Sequence, residues 1–207
     1  MRQLIIIGAG ALAREVHSVF KDAYSIIGFL DNPFYPDEKI NGLKIEPVPP
    51  TEPYDSKIHF VIAVGDTLRK QQLAKKYSHL KFTSLVHRTA VVSEYTKLQE
   101  GTIVFPFAVV DPNVNLGKHV FLGYHTFVGH HANIGDYSTL FSYASISGHT
   151  LVGEGAYFGA HSLTVNERYR EHKLRIGDYA KVGAGAVVLD DVKDGGTAIG
   201  RKAEYKQ

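Results

Sequence analysis

The 207-residue chain contains no cysteine. That excludes disulfides, thiolate metal sites and a cysteine nucleophile. It also suits a reducing cytoplasm, the expected compartment. Net charge is scarce as well. A balance of +2 is too small to argue for a nucleic-acid partner. Long apolar runs are missing too. The longest, Leu4 to Ala13, falls well short of the roughly 20 residues a membrane-spanning helix needs, so no membrane insertion is expected. Arg2 before this run and alanine at its end weakly imitate a secretory signal, but the run has a better use as a strand and turn. The rest is ordinary for a globular chain, with 44% hydrophobic and 21% charged residues. Histidine is the unusual abundance, at 11 residues, several of them in one stretch.

That stretch, Val86 to Leu163, repeats in sixes. Position one runs Val86, Val92, Leu98, Val104, Val110, Leu116, Leu122, Val128, Ile134, Leu140, Ile146, Val152 and Phe158. Position five, from Ala90 to Ser162, is always small or β-branched. Position two is glycine at Gly117, Gly123, Gly129, Gly135, Gly153 and Gly159, where it is expected to relieve a tight turn. A helix repeats near 3.6 and a strand at two, so a period of six fits neither. It fits a parallel β-helix with three blocks per coil, which places residues 18 apart on neighbouring coils, about 4.8 Å away. Chance alternation in a β-sandwich would not hold one phase for so long.

The residues before the repeat read differently. Gln3 to Ile7 predicts a buried parallel strand, followed by Gly8-Ala9-Gly10-Ala11-Leu12-Ala13 and a helix from Ala11 to about Asp22. Glycines at a strand-to-helix turn let the backbone approach a phosphate, and the helix N-terminus favours its charge. A tight turn without a ligand fits the same residues. Strands are expected at Ser25 to Leu30, ending in Asp31, and at His59 to Val64, followed by Gly65-Asp66 and a helix from Thr67. Lys81 to Val86 reads as a last strand feeding the repeat. About 85 residues leave room for one mononucleotide half, which favours a nucleotide-linked substrate over a dinucleotide. The proline-rich segment from Asp31 to Pro53 reads as an irregular loop, and the polar segment 166–173 as a loop extruded from the shaft. The tail from Asp190 is expected to cover the open end.

His119, His125, His131, His149 and His161 share position four, whereas His130 stands at position three. Stacking by 18 puts His131 over His149 and His130 over Gly148. Three uses compete for these imidazoles: corner residues without a role, a metal site on the pair His131/His149 lacking an assured third ligand, and a general base for acyl transfer.

Ile7-Gly8-Ala9-Gly10, Gly28-Phe29-Leu30-Asp31, Ala63-Val64-Gly65, Leu85-Val86-His87, His130 with Ile134-Gly135-Asp136, and Val182-Gly183-Ala184-Gly185-Ala186-Val187 together resemble the NeuD/PglD-type sugar acyltransferases. The resemblance covers essentially the whole chain. It implies an α/β plus β-solenoid fold: a Rossmann-like domain over residues 1–85 and a left-handed parallel β-helix over 86–207. It further implies a homotrimer with sites between neighbouring shafts, acetyl-CoA as co-substrate, and a nucleotide-sugar in the N-terminal crevice. His130 matches the catalytic base. Gly148 matches the position whose N–H faces the thioester carbonyl, and Ala160 and Ala184 match coenzyme-contacting positions. Gly8, Ala9, Gly10, Ala11, Leu12, Asp31 and Gly65 match substrate-binding positions. Three places depart from the family pattern. His131 replaces an acidic partner of the base, Ala11-Leu12 replace a Gly-His pair, and Thr139 replaces a histidine at a coenzyme position. No metal is expected. The implied reaction moves an acetyl group from acetyl-CoA to the amine of a nucleotide-linked amino sugar, for surface glycan biosynthesis. O-acetylation of a sialic or related sugar is the alternative within enzymes, and a catalytically weak or non-catalytic member of the fold is the alternative outside them.

Overall fold

The computed structural model describes residues 1–31, 39–47, 54–165 and 173–201. The chain begins with β1 (Gln3–Ile7), α1 (Ala11–Phe20) and β2 (Ser25–Leu30). It continues through β3 (Lys39–Ile40), β4 (Leu43–Glu46), β5 (Ile58–Ile62) and α2 (Thr67–Lys76). The sheet order is β3-β4-β2-β1-β5, parallel except for the β3–β4 pair. Strands buried on both faces carry unbroken apolar runs, as β1 does. The pair β3–β4 corrects the reading of 31–53 as wholly irregular. Its turn is Asn41-Gly42, both at positive φ (51° and 84°), the conformation a two-residue hairpin demands. The remaining prolines of that segment, apart from Pro47, lie outside the described residues, as does the polar segment 166–172.

From Leu85 the chain winds as a left-handed three-sided β-helix. Each side is a ladder of two-residue strands, all parallel, pairing 18 residues apart as far as Ser145 with Leu163, as in Val109 with Phe127 and Phe127 with Ser145. Position one points inward. Val104, Leu116, Leu122, Val128, Leu140, Ile146 and Phe158 are essentially inaccessible and form one continuous core. The expected strand Lys81 to Val86 is divided. Phe82 bridges Phe60 in the N-terminal sheet, and only Leu85–Val86 joins the shaft. After residue 190 the chain completes an irregular last coil. Val192 bridges Ile176, and Thr197–Ala198 pairs with Lys181–Val182.

The glycine reading needs a correction. The position-two glycines from Gly117 to Gly159 do not have positive φ. They are needed because the next coil lies too close: a Cβ at Gly135 would come 2.4 Å from the carbonyl carbon of Gly153. The left-handed residue is position four instead, from Gly101 through Phe107, Asn113, His119, His125, His131, Tyr137, Tyr143, His149 and Gly155 to His161. A non-glycine residue there costs on the order of 1–2 kcal/mol, and Asn and His are enriched among those that adopt it. Each coil offsets part of that cost. The N–H of position four donates to the carbonyl one coil back, as His149 does to His130 at 2.9 Å. The rings also stack, with Phe107, His125, Tyr143 and His161 in one column at centroid spacings of 5.0, 4.8 and 4.6 Å. The register of five histidines therefore has a backbone cause. His130, at position three, does not share it.

The three sides differ outwardly. One carries Leu85, Ile103, Phe121 and Thr139, all buried beneath the N-terminal unit. Phe105 and Phe121 join the core built from Leu4, Ile6, Phe20 and Phe29. We call this the covered side. A second, mainly polar side shows Lys97, Asn115, Asn133, Leu151 and Arg175. The third, mainly apolar side shows Val91, Val109, Phe127, Ser145, Leu163 and Val187, with Val91 63% and Val187 57% exposed.

Candidate active site

Two regions collect the residues singled out in the sequence. The first is a crevice of about 370 Å³ above the C-terminal ends of β1 and β5. It is lined by Gly8 to Leu12, Asp31 and Gly65, so the structure brings all of the expected substrate-binding positions together. Gly8 has φ +113° and a Cβ there would sit 2.9 Å from the Ala63 carbonyl oxygen, so this position requires glycine. The Ala9 N–H donates to Asp31 Oδ2 at 2.8 Å, and the Arg69 guanidinium pairs with Asp31 Oδ1 at 2.8 Å. Asp31 thus ties the loop after β1 to the first turn of α2. Arg69, Glu15 and Phe141 also line the crevice and were missed in the sequence. Arg69 had a local signal, since Asp66 caps α2 by accepting the Arg69 N–H at 2.7 Å. Phe141 had none. It is a shaft residue brought under Gly65 only by docking of the two units, its Cζ lying 3.3 Å from where a Gly65 Cβ would be.

The second region is the corner where the apolar side turns into the polar side. His130, His131 and His149 meet there, all exposed. The Nδ1 atoms of His130 and His131 are 3.2 Å apart, a hydrogen bond in which one ring donates and the other accepts. The ring of His149 stacks on that of His131 at 4.9 Å and 11°. Burial and the neighbouring His131 and His130 hold the His149 imidazole below the ordinary histidine value. Gly148 makes room for His130: a Cβ at 148 would lie 2.9 Å from both Cε1 and Nε2 of that ring. Among the described residues nothing accepts a hydrogen bond from the Gly148 N–H.

The expected coenzyme positions are not all in one place. Ala160 and Ala184 stack on consecutive coils at the other corner of the apolar side, where the Gly185 N–H donates to the Ala160 carbonyl at 2.9 Å. Within one chain the apolar side separates them from His130. Thr139 lies on the covered side, fully buried, and its hydroxyl accepts from Lys70 Nζ at 2.7 Å. Lys70 also donates to the Ser138 carbonyl at 3.3 Å. Its complete burial pushes the amine down to about 7, against a smaller upward pull from Asp66. No periodicity in the sequence announces that inter-unit contact.

Residues 3–77 match the model of the PglD N-terminal domain. No curated protein sequence matches the chain. Among solved structures, the acetyltransferase domain of PglB from Neisseria gonorrhoeae FA1090 is 24% identical over 97% of each chain, with a TM-score of 0.84. The same domain in complex with acetyl coenzyme A is 25% identical over 96% of each chain, with a TM-score of 0.83. PerB from Caulobacter crescentus, in complex with CoA and GDP-perosamine, is 24% identical over 99% of this chain and 97% of its own, with a TM-score of 0.82. From the Gly-rich turn to the last coil, the chain resembles the NeuD/PglD-type sugar acyltransferases.

Proposed function

We propose that the chain transfers an acetyl group from acetyl-CoA to the amine of a nucleotide-linked amino sugar, acting as a homotrimer. One observation carries the proposal. His130 is the imidazole that the shaft's backbone does not call for, and it lies against Gly148, whose N–H donates to none of the described residues. A base beside a backbone N–H that can point at the carbonyl oxygen is the minimum an acyl transfer needs. The PglB domain with acetyl-CoA and PerB with CoA and GDP-perosamine support the choice of substrates.

The geometry suggests how the parts divide the work. With Nδ1 of His130 donating to His131, Nε2 keeps its lone pair and faces the Gly148 side. The sugar amine attacks the thioester carbonyl as Nε2 takes its proton. The carbonyl oxygen gains negative charge, which the Gly148 N–H stabilises. Collapse of the tetrahedral intermediate expels the coenzyme thiolate, and the proton on His130 returns to it. Since the chain has no cysteine, the acetyl group passes directly rather than through a thioester on the enzyme. Residues 1–85 hold the nucleotide, with Gly8, Ala9, Gly10, Ala11 and Leu12 around the phosphates and Asp31, Gly65 and Arg69 at the rim.

The apolar side supports the trimer. Valine, phenylalanine and leucine along an exposed sheet, interrupted at Ser145, are the mark of a surface that another chain covers. If three copies pack these sides about a threefold axis, the His130 corner of one meets the Ala160–Ala184 corner of its neighbour. That joins base and coenzyme positions which a single chain keeps apart. Coenzyme release measured with acetyl-CoA and UDP-, GDP- and dTDP-linked amino sugars tests the reaction. Turnover by His130→Ala equal to that of the parent chain would sink the assignment of the base. Phe127→Asp should turn a trimer into monomers in analytical ultracentrifugation.

A further inference from the structure

The acetyl-transfer reading uses the histidine corner only in part. His130, His131 and His149 each place one ring nitrogen within 4.8 Å of the others. The two Nδ1 atoms of His130 and His131 are already 3.2 Å apart. Zinc–imidazole bonds of 2.0–2.1 Å in a tetrahedron put ligand nitrogens about 3.3–3.4 Å from one another. One pair is therefore at bonding separation, and an exposed His149 ring reaches the third position by side-chain rotation. The sequence offered the stacked pair His131/His149 and lacked a third ligand. The structure supplies it as His130, rather than as a carboxylate or thiol.

The frame is rigid where it matters. His131 and His149 have the same left-handed backbone, φ 59° and 60°, one coil apart, and their spacing is fixed by the hydrogen bond from His149 N–H to the His130 carbonyl. His130 and His149 meet edge-on at 5.0 Å and 87°, so the rings do not form a simple continuation of a stack. Three imidazoles with no carboxylate in the group select a borderline cation and give magnesium or calcium nothing hard to bind. Lys173 contributes a nearby positive charge that opposes the ion. Because it is exposed, screening limits that opposition.

We propose that His130, His131 and His149 bind one zinc-class divalent cation, and that the bound ion stops acetyl transfer by taking Nδ1 of His130, which leaves the ring proton on Nε2, the nitrogen that would otherwise act as base. The ion is an inhibitor, not a participant in the reaction. The inhibitory half rests on the reading of His130 as base, but the binding half does not.

The full-length chain, stripped with a chelator and dialysed against zinc chloride near pH 7.5, should hold one zinc per chain by elemental analysis, with half-saturation in the micromolar range. His149→Ala and His131→Gln should each weaken binding at least tenfold, and His161→Ala at the opposite corner should not. A parent chain that binds no more zinc than His149→Ala overturns the site. Zinc over the same range should abolish the parent's coenzyme release, and a chelator should restore it. The rate of His149→Ala, relative to its own zinc-free value, should not respond. Stoichiometric zinc with an untouched rate overturns the inhibition. A chain that turns over no amino sugar yet binds zinc through these three residues leaves the site standing and removes only the transferase reading.

Discussion

His119 and His131 occupy the same hexad position on two corners of one shaft, at φ 54° and 59°, and they have become opposite objects. His119 turns from the polar to the covered side, where the N-terminal unit seals it. It stacks on Tyr137 at 5.8 Å, meets Phe82 edge-on at 4.7 Å and is 5% exposed. Burial, with the Lys70 cation next, lowers its imidazole to about 4, so it is neutral at every physiological pH. His131 turns from the apolar to the polar side and is open to solvent, its ring bonded to His130. The backbone asked for the same residue twice. What surrounds the corner decided whether it became filling or chemistry.

The widest separation between the two corners should come from rate. His130→Ala is expected to lower kcat by about 10²–10⁴ with little change in melting temperature, because a general base is worth that much and an exposed ring little else. His119→Ala should leave kcat within a few-fold.

The next test reads the sealed corner through pH. Lys70 lies beneath it with its amine at about 7 in the folded chain, against 10.5 ordinarily. The folded state therefore holds fewer protons than the unfolded state between these values, so stability rises as pH climbs through that window. The penalty for burying the ammonium is full below about pH 7 and on the order of several kcal/mol. Lys70→Met should exceed the parent in melting temperature at pH 6, with the gap closing towards pH 10. A gap that does not change with pH would show that the amine titrates normally.

A smaller loss should follow from emptying the sealed corner itself. His119→Ala removes a ring packed between Phe82 and Tyr137 and should cost about 2 kcal/mol, seen as a lower urea midpoint. Least of all, Gly185→Ala should cost about 1 kcal/mol. Its φ is +66° and none of the described residues lies within 4 Å of the added methyl, so the loss measures the left-handed backbone.

Legibility followed the same division. The six-residue phase, the inward position one and the odd placement of His130 were visible because each is a statement about spacing along the chain. The Gly-rich crevice was visible for the same reason. The role of position four was also in view, since Gly101, Asn113, Gly155 and the histidines all fall there, but the reading credited the turn to position two. Asn41-Gly42 between Ile40 and Leu43 is a hairpin signal that the surrounding prolines obscure. Lys70 on Thr139, and Phe141 beneath Gly65, could not be read, because nothing local ties a helix residue to a coil some seventy positions away.

The pairing interval has an evolutionary consequence. Coils pair at eighteen residues until the third-last one, where Leu151 meets Arg175 and Leu163 meets Val187, each twenty-four apart. Strands on either side keep their partners despite the extra length. An inserted peptide, a tag or a whole foreign domain can be spliced there without a frameshift in the winding. Along the regular coils before it, a gain or loss that is not a whole turn would shift every later pairing; the closing coil, at sixteen, has no later coil to misalign.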